Sequence, residues 1–263
     1  MLRRVMLALA GVLLLADAVP VAAQTCRPPA VVVDTVLKMK YCADPSFSGV
    51  MEALLQRLRG EVRAARQAGR LIVYASTPIS PRGGGLVKVN TEIARSVKVR
   101  LETMLGAGAW VLDPGAYQVP KVDGKEPGGG DYMVMFVRLL AGDDGAGRDF
   151  DMAHFTGPND MRAFFGCTDD LTGCLSRWLD TRAATDPELR KAADDAETRR
   201  AFLRYYAMRA SAAYSAGARD EWNIFVRINR GRRVGDQVAM FFDGRPVGLG
   251  EMDTEISPGY EVR

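Results

Sequence analysis

The stretch Leu71 to Leu105, LIVYASTPISPRGGGLVKVNTEIARSVKVRLETML, reads as a buried strand, a turn rich in hydroxyls and glycine, and an amphipathic helix. Leu71, Ile72, Val73, Tyr74 and Ala75 form an unbroken apolar run between Gly69 and Pro78, the composition of a strand covered on both faces. Such strands belong to α/β folds. In open α/β sheets ligands bind outside the carboxyl ends of the strands, so Ser76, Thr77, Arg82, Gly83, Gly84 and Gly85 fall where a binding site is expected. The helix after the turn begins near Asn90, a good N-cap residue that joins the candidate binding set, presents Ile93, Val97 and Leu101 on one face and stops at Gly106.

Working outward, Phe47 to Ala68 carries Val50, Met51, Leu54, Leu55, Leu58, Val62 and Ala65 at helical spacing, with Gly69 as its stop. A second strand, Trp110 to Leu112, ends at the turn signal Asp113, Pro114, Gly115, and its natural place is parallel to the first. Asp131 to Leu140 reads as a helix and Phe150 to Thr156 as a third strand. From Pro158 the pattern is mainly helical: a helix to Phe165, one from Leu175 to Ala183, and one from Asp186 to Ala213 with Asp186 as N-cap and Pro187 at the first helical position. A further helix spans about Arg219 to Asn229. Gln237 to Phe242 is a fourth strand, and the Asp243-Gly244 turn lets Arg245 to Leu249 return as an antiparallel edge strand that tolerates Pro246. The expectation is a three-layer α/β fold with a largely parallel sheet, flanking helices and a cap-like helical insertion at about 158–214, in a single domain over 24–263.

The first residues read as an export signal. Arg3 and Arg4 precede the apolar run Val5 to Ala16, and Val21, Ala22 and Ala23 offer a small-residue cleavage site, which assigns 1–23 to a signal peptide and the mature chain to the periplasm or the medium. No later run approaches the roughly 20 apolar residues of a membrane span. Acidic and basic residues of the mature part nearly balance and are spread along helices, so neither nucleic acid nor a membrane surface is expected as partner. Four cysteines in an oxidising compartment suggest local pairs, Cys26 with Cys42 and Cys167 with Cys174, the second closing the polar hairpin-like segment CTDDLTGC. No metal site is read, because neither spacing is CxxC and the single histidine, His154, stands apart from both pairs. His154 reads as a hydrogen-bonded structural residue, and the aspartates of AGDDGAGRDFD, Ala141 to Asp151, as a solvated acidic turn. No cofactor motif is present: the glycine turn matches neither GxGxxG nor the Walker pattern.

Two segments carry the chemistry. The turn from Ser76 to Gly85 supplies hydroxyls, a guanidinium and accessible backbone amides, the materials that hold a phosphate or another polar ligand. Ser215 to Glu221, SAGARDE, opens a helix and places Glu221 in its first turn, where the dipole favours an ionised carboxylate. Together with VYASTPIS and WVLDPG, the Ser215, Gly217 and Glu221 pattern resembles the nucleoside 2-deoxyribosyltransferase-like group of α/β enzymes. Ala218 stands where that group often has threonine. The resemblance implies that Glu221 is a nucleophile toward the anomeric carbon, that Ser215 and Gly217 shape the sugar pocket, and that Asp131 or Asp151 contacts the base or acts as general acid. The function then expected is N-glycosidase-like or nucleoside-transferase-like chemistry on a nucleoside, nucleotide or dinucleotide, with no metal or cofactor. The alternative is a non-catalytic periplasmic protein that binds a small phosphorylated or sugar-containing ligand, or a protein partner.

Overall fold

A computed structural model describes residues 26–262, so the expected signal peptide at 1–23 lies outside the described residues. The described part opens with a hairpin, β1 (Val31–Asp34) and β2 (Lys40–Ala43), which the Cys26–Cys42 disulfide ties to the segment before it. Then follow α1 (Ser48–Gln67), β3 (Leu71–Ser76), α2 (Val87–Leu105), β4 (Ala109–Leu112), α3 (Gly129–Ala141) and β5 (Met152–Phe155). Four helices come next: α4 (Pro158–Phe165), α5 (Leu171–Ala183), α6 (Pro187–Asp194) and α7 (Ala196–Met208). The chain closes with α8 (Ala216–Arg230), β6 (Ala239–Phe242), β7 (Arg245–Pro246) and a short α9 (Leu249–Met252).

The main sheet has the order β4-β3-β5-β6-β7, parallel except for β7, which pairs antiparallel with β6. After β3 the chain crosses by α2 to β4 on one side, then returns by α3 to β5 on the other. The direction of winding therefore reverses at β3 and β5, and a crevice opens beyond their carboxyl ends. Period-two alternation sorts β3 onto two faces: Ile72 and Tyr74 pack with α1, α3 and α8, while Val73 and Ala75 pack with α2 and the α4–α7 block. The result is the expected three-layer α/β architecture.

The helical insertion does not roof the crevice. Phe165, Leu175, Leu179, Leu189 and Phe202 share one core with Val97 and Leu101 of α2, so the block extends the α2 layer. Its expected long helix is two helices, because Asp195 leaves helical geometry and caps α7 through Thr198 N at 2.7 Å. Cys167 and Cys174 are bonded, but Cys174 lies within α5, which Asp170 caps, so this segment is a loop running into a helix rather than a hairpin. His154 is buried with Nε2 2.9 Å from Asp160 Oδ2, and Asp143 and Asp144 pair with Arg59 and Arg148. No helix among the described residues is long and apolar enough to cross a membrane.

Candidate functional site

A crevice of about 690 Å³ lies at the carboxyl end of β3, between the turn that follows it and the N-terminal half of α8. Thr77, Arg82, Ser215, Gly217 and Glu221, all singled out from sequence, line it. Pro114 from the β4 turn, Tyr132 and Phe136 from α3, Tyr260 from the C-terminal segment, and Lys121 and Glu126 from the connection between β4 and α3 also line it. The mixture of aromatic surface and a few polar groups is that of a small-molecule site.

Glu221 is buried at the crevice, 7 % exposed, and its Oε2 accepts a 2.5 Å hydrogen bond from Ser76 Oγ. Ser76 reaches it because it shares the Tyr74 face of β3, the face against which α8 packs. The helix begins at Ala216 with Ser215 as its cap, so Glu221 falls in the second turn instead of the first. The free amides of the helix start are out of its reach, and desolvation governs its ionisation. Burial raises the carboxyl pKa to about 7, with the Ser76 hydrogen bond opposing the shift. Tyr74, fully buried beside Glu221, has a hydroxyl without a hydrogen-bond partner, and burial followed by the nearby carboxylate holds its ionisation far above the usual range.

The turn after β3 is braced from below. Asn90 is not the cap of α2, which starts earlier at Val87. It is buried in the first turns of the helix, where its side-chain amide donates to the carbonyls of Ile79 and Ser80 at 3.1 and 3.2 Å. Its Oδ1 accepts from the Tyr206 hydroxyl at 2.8 Å, so Asn90 shapes the turn without reaching the crevice. The glycines serve the same packing. A Cβ on Gly84 meets the Ala201 carbonyl oxygen at 2.4 Å and one on Gly85 meets the Tyr205 ring at 2.6 Å, so these residues let the turn lie against α7. Gly83 faces a neighbouring hollow. Thr77 holds Thr156 across the switch between β3 and β5, Oγ1 to Oγ1 at 2.8 Å.

Asp131 and Asp151 are not brought to Glu221. Asp131 accepts from the backbone of Gly128 and Asp44, both at 2.7 Å, closing the start of α3 and anchoring the segment after β2. Asp151 lies at the opposite, amino end of β5, bonded to Ile72 N at 2.7 Å and paired with Arg66 at 2.8 Å. The general acid expected from either is thus not positioned at the crevice. No protein-family model, curated protein or solved structure matches this chain.

Other residues enter the site unannounced. Asp220, buried next to Glu221, accepts from the backbone of Gly259, Tyr260 and Glu261, which folds the C-terminal segment over α8 and carries the Tyr260 ring to the rim. There the ring centroid is 5.7 Å from the Arg82 guanidinium carbon. Tyr74 was legible in principle, being two residues before Ser76 on the same strand face. Tyr260 and Tyr132 carried no local signal.

Proposed function

We propose that the protein is an exported N-glycosidase-like or nucleoside-transferase-like enzyme acting on a nucleoside, nucleotide or dinucleotide, with Glu221 as nucleophile. The observation that carries the reading is the buried Glu221 carboxyl at a crevice of substrate size, held by Ser76 and poised near neutrality. The likeness of VYASTPIS, WVLDPG and the Ser215, Gly217, Glu221 pattern to the nucleoside 2-deoxyribosyltransferase-like group points the same way. Two disulfides and the N-terminal signal pattern support export to the periplasm or medium.

The chemistry needs a carboxylate, an aromatic-walled cleft and a proton for the leaving base. Ionised Glu221 adds an oxygen to the anomeric carbon as the bond to the base nitrogen breaks, and the base leaves with a proton taken from solvent. Water or an acceptor base, giving up a proton to solvent, then displaces the carboxylate from the anomeric carbon and regenerates the enzyme. Ser76 keeps the carboxylate aimed, and Tyr132, Phe136 and Tyr260 offer surfaces for base or sugar to pack against.

The test is incubation of the mature protein with nucleosides, nucleotides and NAD, following free base by chromatography, with Glu221→Gln in parallel. Base release that vanishes in the variant is the expected result. No release from any of these compounds by folded, disulfide-bonded protein overturns the enzymatic reading. The second reading, a non-catalytic protein binding a phosphorylated or sugar-containing ligand or a protein partner in the same cleft, draws on the backbone bonds that occupy Asp131 and Asp151 away from Glu221.

A further inference from the structure

A second hollow of about 440 Å³ adjoins the crevice, and Ser80, Arg82, Ser215 and Tyr260 form part of the wall of both. Arg82, Arg209 and Arg219 line it, and no carboxylate does. Among the described residues none of the three guanidinium groups is ion-paired. The Arg219 Nε is buried with no hydrogen-bond partner, a condition that buried donors avoid unless something else completes them. Ala216, the first residue of α8, closes the hollow on the side from which the helix amides and dipole favour an anion.

We infer that this hollow is a phosphoryl subsite, and that the ligand of the main crevice is a nucleotide whose sugar lies over Glu221 while its phosphate is held by Arg82, Arg209 and Arg219. The inference rests on the reading of the main crevice proposed above and narrows it from nucleosides to phosphorylated ones. Planar guanidinium forks match phosphate oxygens, and Glu221 repels a second negative charge, so the anion belongs in the carboxylate-free hollow. Arg82, on the shared wall with its guanidinium beside Tyr260, marks the passage from sugar to phosphate. The glycines of the turn, packed against α7, leave this task to the arginines.

The experiment is calorimetric titration of the mature protein with four nucleosides, their 5′-monophosphates and inorganic phosphate, for wild type and for Arg209→Gln with Arg219→Gln, at low and high sodium chloride. At least one monophosphate should bind about tenfold or more tighter than its nucleoside, and that ratio should fall toward one in the double variant. If the variant does not fold, the wild-type ratio must still shrink as salt rises. Equal affinity for nucleoside and monophosphate, a preference that survives the arginine changes or salt, or no binding at all overturns the subsite. Inorganic phosphate binding as tightly as the monophosphate assigns the hollow to free phosphate and overturns the nucleotide assignment. Nucleotide preference without base release supports the subsite while removing the glycosidase reading; base release without the preference does the reverse.

Discussion

Ser76 Oγ and Glu221 Oε2 are 2.5 Å apart in the interior, joining the end of β3 to α8 across 145 positions of sequence. A hydroxyl donor to a desolvated carboxyl favours its ionised form, so this bond holds the Glu221 pKa below where burial alone puts it.

Ser76→Ala therefore raises that pKa further. If ionised Glu221 is the nucleophile, the acid limb of the pH dependence of kcat/KM for base release moves to higher pH by about one unit or less. Activity at pH 6 falls more than activity at pH 9. A limb that stays in place assigns the pH dependence to another group.

Asp131→Asn and Asp151→Asn separate framework acids from reacting ones. Each variant keeps one acceptor oxygen and turns the other into an amide donor, so Asp131→Asn loses one of its two bonds from backbone amides and Asp151→Asn its ion pair with Arg66, at about 1–3 kcal/mol of stability. Base release assayed well below each variant's melting temperature should stay within about twofold of wild type, because neither side chain reaches the crevice. A loss comparable to that of Glu221→Gln returns the residue to the chemistry.

The layout of the sheet was legible because its strands are short apolar runs fenced by glycine, proline and aspartate, and the helices between them carry clear periodicity. Leu71 to Ser76 and the Pro114 turn stand where local pattern puts them, and the antiparallel return begins at Arg245 as expected but ends at Pro246, because Leu249 opens α9 instead of extending the strand. Boundaries moved where a side chain competed with the helix: Asp195 splits the long helix, and Ser215 starts α8 early enough to shift Glu221 out of the first turn. In the site, the pairing of the Ser76 turn with Glu221 was readable from strand ends and helix starts. Asp131 and Asp151 misled because a carboxylate capping a helix or receiving a strand amide looks, in sequence, like one waiting for substrate. Tyr260 and the Arg209 and Arg219 pair depend on contacts between distant segments, which no window of sequence contains.

The two glycines at the heart of the turn are distinguishable by experiment. Gly83 and Gly84 both have positive φ, 89° and 113°, but a Cβ at Gly83 finds ordinary contact with Tyr205 at 3.6 Å whereas one at Gly84 collides with the Ala201 carbonyl. Gly83→Ala should cost about 1 kcal/mol for backbone strain, and Gly84→Ala at least about 2 kcal/mol, because the turn must lift from α7 as well. Urea unfolding midpoints measure both. Equal costs would mean that α7 yields freely and that the close approach is not a constraint.

Glu221 also sets a pH dependence of stability. Its pKa goes from an ordinary 4.5 to about 7 on burial, so between those values the unfolded chain has released the proton that the folded chain still holds. The unfolded state binds fewer protons there, and stability falls as pH rises through the window. Below it the group costs nothing by ionisation; above it the fold carries a buried charge worth about 3 kcal/mol, an upper figure for a carboxylate this enclosed. Glu221→Gln keeps an oxygen that accepts from Ser76 and removes the charge. The variant should match wild type within about 1 kcal/mol near pH 4 and exceed it by up to about 3 kcal/mol at pH 8. Other titrating groups are common to both proteins and cancel in the difference between their urea unfolding free energies. A difference that does not change with pH means that the Glu221 carboxyl titrates alike in the folded and unfolded chains, and the poised nucleophile loses its physical basis.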